Sequence, residues 1–295
     1  MAPLRLLVTG STGQVGGELV NVLAQYGEVI APTRAEMDLA NPASARTFLR
    51  DTKPQWIVNA GAYTAVDRAE SEPDLAYAIN AESVGVIGQE AAALGATVLH
   101  YSTDYVFDGQ GNAPYVETDK TAPLGVYGAS KLAGEQALAE SGATHAILRT
   151  SWVYGSTGKN FLRTILKMAR EKEQLRVVGD QHGAPTWSRD LARLAAHIIE
   201  HKTVPSGVYH AAGTGETTWA GFAEEAIRQI AKRETGVKLA KVITIPTSAY
   251  PTPAARPANS RLNGEKLART FGWKMMDWQV SLAHVLAEIS ADTAK

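Results

Sequence analysis

The feature that most limits what this 295-residue chain can fold into is a regular alternation in its first half. Residues 4–9, 28–31, 56–60, 97–101 and 145–149 are short, mostly apolar runs. Between them, residues 14–26, 42–52, 72–94 and 126–140 repeat their apolar side chains at helical spacing. Continuous apolar strands separated by helices belong to a parallel sheet covered on both faces. Crossovers between parallel strands are right-handed, so the expected fold class is α/β with a doubly wound, Rossmann-type parallel sheet.

The second half is less regular. Helical spacing recurs over residues 160–172, 188–201, 219–234, 264–271 and 278–289, with short strands at 175–178, 208–210 and 242–245. The chain is long for one hydrophobic core. A dinucleotide-type domain over residues 1–150 and a smaller mixed α/β lobe over 151–295 are expected, with about 205–235 returning to the first domain. The proline-rich stretch 246–257 reads equally well as a linker or as a binding loop.

Composition removes several function classes. The formal net charge is −1, so no clustered basic excess points to nucleic acid or anionic membrane. No cysteine is present, which excludes disulfides, thiolate metal sites and a cysteine nucleophile. The N-terminal apolar run is too short for a signal segment, and no stretch has the apolar length of a membrane span. A soluble, cytoplasmic protein is expected.

Gly10, Gly13 and Gly16 stand between the first strand and the first helix at G-x-x-G-x-x-G spacing. Glycines let a backbone turn tightly against a pyrophosphate, and the helix N-terminus offers unpaired N–H groups and a positive dipole end. At the start of a βαβ unit this indicates a dinucleotide. A carboxylate for a ribose 2′-hydroxyl is expected about 20 residues on. The chain reads Ala31-Pro32-Thr33-Arg34 there instead. Arg34 either receives a 2′-phosphate or is a solvated surface charge. Residues 59–64, Ala60 among them, follow the third strand and border the same crevice.

Tyr127 and Lys131 open a helix at i, i+4 and so share one face. A free phenol ionises near pH 10, and an ammonium beside it is expected to lower that value. The pair suits protonation of a carbonyl oxygen as hydride reaches its carbon. At the end of the fourth strand Thr103 is placed to donate to that oxygen, with Ser102 as competitor, and Asp104 to meet a sugar hydroxyl. His100 and His210 read as core histidines, and no His/Asp/Glu grouping has metal-ligand spacing.

The glycine loop, residues 102–107 (Ser-Thr-Asp-Tyr-Val-Phe) and the Tyr127/Lys131 pair together resemble the extended short-chain dehydrogenases/reductases. Residues 59–64, 149–154, 180–186 and 250–260 narrow the resemblance to the dTDP-4-dehydrorhamnose reductases, over essentially the whole chain. The resemblance implies catalysis by Thr103, Tyr127 and Lys131. It implies cofactor contacts at Gly13, Gln14, Val15, Asp38, Leu39, Ala62, Tyr63 and Thr64, in addition to Gly10, Gly16, Arg34 and Ala60. It implies sugar-nucleotide contacts at Thr103, Asp104 and Trp152, and along the Arg256, Asn259, Ser260 segment. NADPH or NADH is the expected cofactor, with NADPH favoured by the missing carboxylate.

Two other readings share the Tyr/Lys pair. One is an epimerase or dehydratase, although a dehydratase would carry acidic residues where Tyr105 follows Asp104. The other is a non-catalytic NADP-binding regulatory subunit. Some members of the resembled family dimerise around Mg²⁺ held by glutamates. Here Arg189 stands where one glutamate is expected, with only Glu288 surviving on the last helix. Mg²⁺ is therefore not expected at an interface, and a monomer or a metal-independent homodimer is.

Overall fold

The computed structural model describes residues 3–201, 203–234 and 236–293. Strands and helices alternate from the start: β1 (Arg5–Thr9), α1 (Gln14–Leu23), β2 (Glu28–Ile30), α2 (Pro42–Thr52) and β3 (Trp56–Asn59). Then come α3 (Val66–Ala69) and α4 (Pro73–Tyr77), which passes through a π-helical turn (Ala78–Glu82) into α5 (Ser83–Leu94). β4 (Thr97–Thr103), α6 (Val126–Glu140), β5 (Thr144–Thr150), β6 (Val153–Tyr154) and α7 (Phe161–Glu171) follow. Next are β7 (Gln174–Val178), β8 (His182–Gly183), β9 (Thr186–Trp187), α8 (Ser188–Glu200) and β10 (Gly207–His210). The chain closes with β11 (Thr217–Thr218), α9 (Trp219–Ala231), β12 (Lys241–Ile245), α10 (Glu265–Phe271) and α11 (Trp278–Thr293).

The central sheet has the order β10-β5-β4-β3-β1-β2, and every pairing in it is parallel. The doubly wound α/β class read from the apolar runs is thus the observed one. Period-two alternation explains the two layers. Leu6 and Val8 enter one core with Leu19 and Leu23 of α1 and Leu191, Leu194 and Ile198 of α8. Leu7 and Ile57 face the other way, onto Leu49 of α2 and Ile87 of α5. Full burial of each such side chain stabilises the fold by about 1.5–3 kcal/mol.

Strand order reverses at β1, where the chain steps out to β2 and then returns to the other side as β3. Ligands of open parallel sheets bind at such a switch point, outside the carboxyl ends of the strands.

The helix expected over residues 72–94 is interrupted by the π turn. That turn places buried Asn80, whose amide serves the backbone of Tyr63 (2.8 and 3.1 Å) and the hydroxyl of Ser130 (3.0 Å). Helical periodicity does not register one extra residue per turn, and π turns concentrate at functional sites.

Beyond β5, β10 joins the sheet edge, while α8 lies against α1 through the same core. α10 packs Leu267 and Phe271 into that core as well, and α7, β7, α9, β12 and α11 gather as a second lobe. β7 pairs in parallel with β12, and Leu162 of α7, Phe222 of α9 and Trp278, Leu282 and Leu286 of α11 form its core. Among the described residues no helix is long and apolar enough to cross a membrane.

Candidate active site

A crevice of about 710 Å³ opens at the carboxyl ends of β1, β3, β4 and β5, between the sheet and the second lobe. Its floor is the glycine loop. Gly10 has φ +66° and lies so close to the β3 loop that a Cβ there would stand 2.7 Å from Gly61 Cα. A Cβ on Gly16 would stand 2.0 Å from the Gly10 carbonyl oxygen. Helix α1 starts at Gln14 after Gly13, with no side chain capping it. A cradle lined by backbone at an uncapped helix N-terminus fits a pyrophosphate.

At the end of β2 the crevice is lined by Pro32, Thr33, Arg34, Asp38 and Leu39. Arg34 Nε lies 3.3 Å from Asp38 Oδ1, and both side chains are exposed. The same Asp38 oxygen accepts the Ala40 N–H at 3.0 Å, so the carboxylate also caps its turn. Ala60, Ala62 and Thr64 line the wall after β3. The Tyr63 ring does not join them. Its phenol donates to Glu72 and its N–H to Asn80 Oδ1 (2.8 Å).

Opposite the glycine loop, β4 and α6 bring Thr103, Asp104, Tyr127 and Lys131 into the same crevice. Thr103 Oγ1 accepts the Tyr105 N–H at 3.2 Å, which fixes the short turn after the strand. Ser102 is engaged elsewhere: its hydroxyl donates to Glu135 Oε1 at 2.5 Å. Glu135 in turn holds buried Arg149 through a two-pronged pair at 2.6 and 2.9 Å. Asp104 accepts from Thr103 at 3.2 Å through Oδ1, while buried Oδ2 has no hydrogen-bond partner among the described residues. Burial lifts its pKa to about 6, against the lowering effect of the Ser260 and Thr103 hydroxyls.

The expected lowering of the Tyr127 phenol by Lys131 is not what this structure contains. Burial raises the phenol to about 12, offset in part by the neighbouring Thr103 hydroxyl. Lys131 Nζ instead donates to the Tyr101 carbonyl at 2.6 Å and lies 3.3 Å from His100 Nε2. Burial lowers the lysine to about 8.

Trp152 forms the far wall in a left-handed backbone conformation, φ +49°, that side-chain-bearing residues rarely adopt. Its ring stacks on Trp219 with centroids 3.7 Å apart. Gly183 lies beneath, where a Cβ would come within 2.7 Å of the indole. Arg256, Asn259 and Ser260 stand behind this wall rather than on it. Arg256 pairs with Asp67 at 2.9 Å, and the Asn259 amide donates to the Gly111 and Ala113 carbonyls, both at 2.8 Å. Of the three, Ser260 bears on Asp104, its hydroxyl opposing the effect of burial on that carboxyl.

The model of the RmlD substrate binding domain family matches residues 4–291. The dTDP-4-dehydrorhamnose reductase of Escherichia coli (strain K12) is 48% identical over 99% of this chain and 100% of its own length. The chain belongs to the dTDP-4-dehydrorhamnose reductase family. A Burkholderia thailandensis dTDP-4-dehydrorhamnose reductase is 46% identical over 95% of this chain and 97% of its own. Among solved structures, a dTDP-4-dehydrorhamnose reductase from Bacillus anthracis str. Ames in complex with NADP superposes with TM-score 0.91. It is 33% identical and covers 98% of this chain and 100% of its own.

Where the resemblance implies Mg²⁺ ligands, the side chains are already engaged with one another. Arg189 Nε donates to Glu18 Oε2 at 2.8 Å, and its Nη1 pairs with Glu288. Ser156 donates to the other Glu288 oxygen at 2.7 Å. A guanidinium already fills the space between the two carboxylates, and it offers donors and a like charge to a dication. Asp190 faces elsewhere, accepting the Met276 N–H at 2.8 Å. These residues do not fit Mg²⁺.

Two crevice residues escape a reading of the sequence, as does the Lys131 contact of His100, which is buried as expected. Trp219 and Lys159 line the crevice from the second lobe. His100 lies behind Lys131. Lys159 follows Gly158, where a Cβ would lie 3.5 Å from Gln14 Cγ, and Asn160 donates to Gln14 Oε1 at 3.0 Å. None of these contacts leaves a spacing signal, because each is made between distant segments.

Proposed function

We propose that this crevice reduces the C4 ketone of dTDP-4-dehydro-L-rhamnose to the alcohol of dTDP-L-rhamnose, with NADPH or NADH as reductant. Its supporting observation is the meeting of Thr103, Tyr127 and Lys131 in one crevice with the glycine cradle. Family membership supplies the substrate class.

When bound, the reduced nicotinamide supplies hydride to the ketone carbon. Tyr127 gives its phenolic proton to the ketone oxygen, and water restores that proton after product leaves. Thr103 donates a hydrogen bond that favours charge developing on the same oxygen. Lys131, one helical turn away, turns an N–H donor to the same crevice. The free Oδ2 of Asp104 accepts a sugar hydroxyl. The stacked Trp152 and Trp219 offer an apolar platform to the sugar nucleotide. Arg256, Asn259 and Ser260 form a strap that shapes this end.

Gly10, Gly13, Gln14, Val15 and Gly16 hold the pyrophosphate in this reading. Asp38, Leu39, Ala60, Ala62, Thr64 and the Tyr63 backbone border the nucleoside halves. Arg34 gives NADPH the advantage. The protein works in the cytoplasm as a monomer or a metal-independent homodimer.

Reduction is tested by supplying cofactor deuterated at nicotinamide C4. One deuterium at sugar C4 of dTDP-L-rhamnose is expected, with stoichiometric oxidised cofactor. Epimerised sugar with no net cofactor oxidation would contradict the proposal.

A further inference from the structure

Behind the Tyr127/Lys131 helix runs a line of buried polar side chains to which the mechanism gives no task. Thr9 Oγ1 lies 2.6 Å from Asn59 Oδ1 and accepts the Gly61 N–H at 2.9 Å. Asn59 Nδ2 lies 2.9 Å from His100 Nδ1, and His100 Nε2 lies 3.3 Å from Lys131 Nζ. Thr9, Asn59, His100 and Lys131 are all buried. Sheet register holds the line together, since Thr9 pairs with Asn59 and Asn59 with His100.

An ammonium has three N–H donors. The Tyr101 carbonyl takes one of Lys131's at 2.6 Å. With its Nε2 unprotonated, the His100 ring is the second acceptor, which leaves one donor for the crevice that Lys131 lines. Burial and the lysine charge hold the imidazole well below its usual pKa, so it stays neutral and keeps one nitrogen free to accept. A flexible four-carbon stem would otherwise let Nζ turn away from the reacting atoms.

We propose that His100 is a positioning residue: its Nε2 lone pair holds Lys131 Nζ in place and sets the direction of hydrogen bonds from Lys131 back to Thr9. This rests on the reading of Lys131 as part of the reaction centre. With Lys131 charged, Nε2 accepts, Nδ1 carries the imidazole proton, and the Asn59 amide turns its oxygen to the ring and its NH₂ to Thr9. With Lys131 neutral, the ring proton sits on Nε2 and is donated to the amine, and Nδ1 accepts from Asn59 Nδ2. The tautomer of His100 therefore reports the charge of Lys131.

Other groups bear on this pair from each packed element. On α6, Glu135 raises Lys131, and Glu135 is itself neutralised by Arg149 of β5. Tyr127 lies one turn before Lys131 on the same helix. His145 of β5 acts on His100 in the same sense as Lys131, disfavouring its charged form. Asp104 and Tyr105 line the crevice beyond.

The test compares His100→Leu, His100→Gln and Lys131→Met with the parent. Loss of the acceptor in His100→Leu disfavours the buried ammonium. The alkaline limb of kcat, expected near pH 8 in the parent, should then move to lower pH. The rate below that limb should fall roughly tenfold, as for one charged hydrogen bond. His100→Gln, whose side-chain carbonyl accepts in the same place, should recover both. Parental kcat and pH profile in a folded His100→Leu variant would overturn the proposal, as would a glutamine variant no better than leucine. Nitrogen-15 spectra of the parent provide a measurement that needs no variant. They should show His100 protonated at Nδ1 below about pH 8, the value for Lys131, passing to Nε2 above it. Nε2 protonation throughout would overturn the proposal. Parental turnover in Lys131→Met would instead contradict the functional reading, and the spectra would still decide the role of His100.

Discussion

At the scale of single residues, Asp104 shows how strongly the crevice alters its groups. Its pKa is raised to about 6, so the folded protein favours the protonated acid. The sign follows directly. No penalty exists at low pH, and one develops as pH rises from the ordinary aspartate range through about 6. Asp104→Asn has no charge to bury. Its stability relative to the parent should climb over that window by about 3 kcal/mol, read from melting temperature against pH. Parallel curves would show that burial does not govern this carboxyl. Arg34 tests cofactor choice. Arg34→Ala should raise the KM for NADPH roughly tenfold, in line with one charge-assisted contact, and leave that for NADH nearly unchanged; equal effects would remove its role at a 2′-phosphate. Residue reading located Thr103, Asp104, Tyr127 and Lys131 because strand ends and i, i+4 spacing are local facts. It preferred Thr103 but kept Ser102 as a competitor. Adjacent strand residues face opposite ways, and only the Glu135–Arg149 pair shows that Ser102 is already engaged. It also assigned the lysine's charge to the phenol, when Nζ is held by Tyr101 and His100.

At the scale of elements, the strand-to-helix turns do most to build the crevice. Gly16→Ala would drive its Cβ into the Gly10 carbonyl, 2.0 Å away, and so push α1 off the loop. Titration calorimetry should then show loss of cofactor binding, and intact affinity would mean that the cradle is not the pyrophosphate site. On the opposite wall, Gly183→Ala would press its Cβ into the Trp152 indole, 2.7 Å away. That stack, set on a left-handed residue, should shift, raising the KM for the sugar nucleotide while cofactor affinity holds. Loss of cofactor affinity alone would place Trp152 on the wrong side of the crevice. Periodicity located most helices and strands, yet it missed α3, the π turn and the two-residue strands β6, β8, β9 and β11. Each of these is too short to show a period and is held by contacts from elsewhere in the chain.

At the scale of the whole molecule, apolar strands were enough to specify the doubly wound sheet, whereas the second lobe needed pairings such as β7 with β12 that join distant segments. The Arg189 bridge between Glu18 of α1 and Glu288 of α11 ties the sheet layer to the last helix within one chain. Light scattering should therefore give the same mass with and without EDTA, and a dimer that dissociates on chelation would contradict the metal-independent assembly. All of these parts serve one reaction, whose most direct test is turnover by the parent and by Tyr127→Phe. Oxidation of NADPH and NADH is followed optically with dTDP-4-dehydro-L-rhamnose supplied, and cofactor binding is measured alongside. The parent should oxidise cofactor in step with product. Tyr127→Phe, without the proton donor, should bind cofactor normally and turn over about 10²–10⁴ times more slowly. A parent that binds both ligands but oxidises no cofactor, or a phenylalanine variant near the parental rate, would contradict the account.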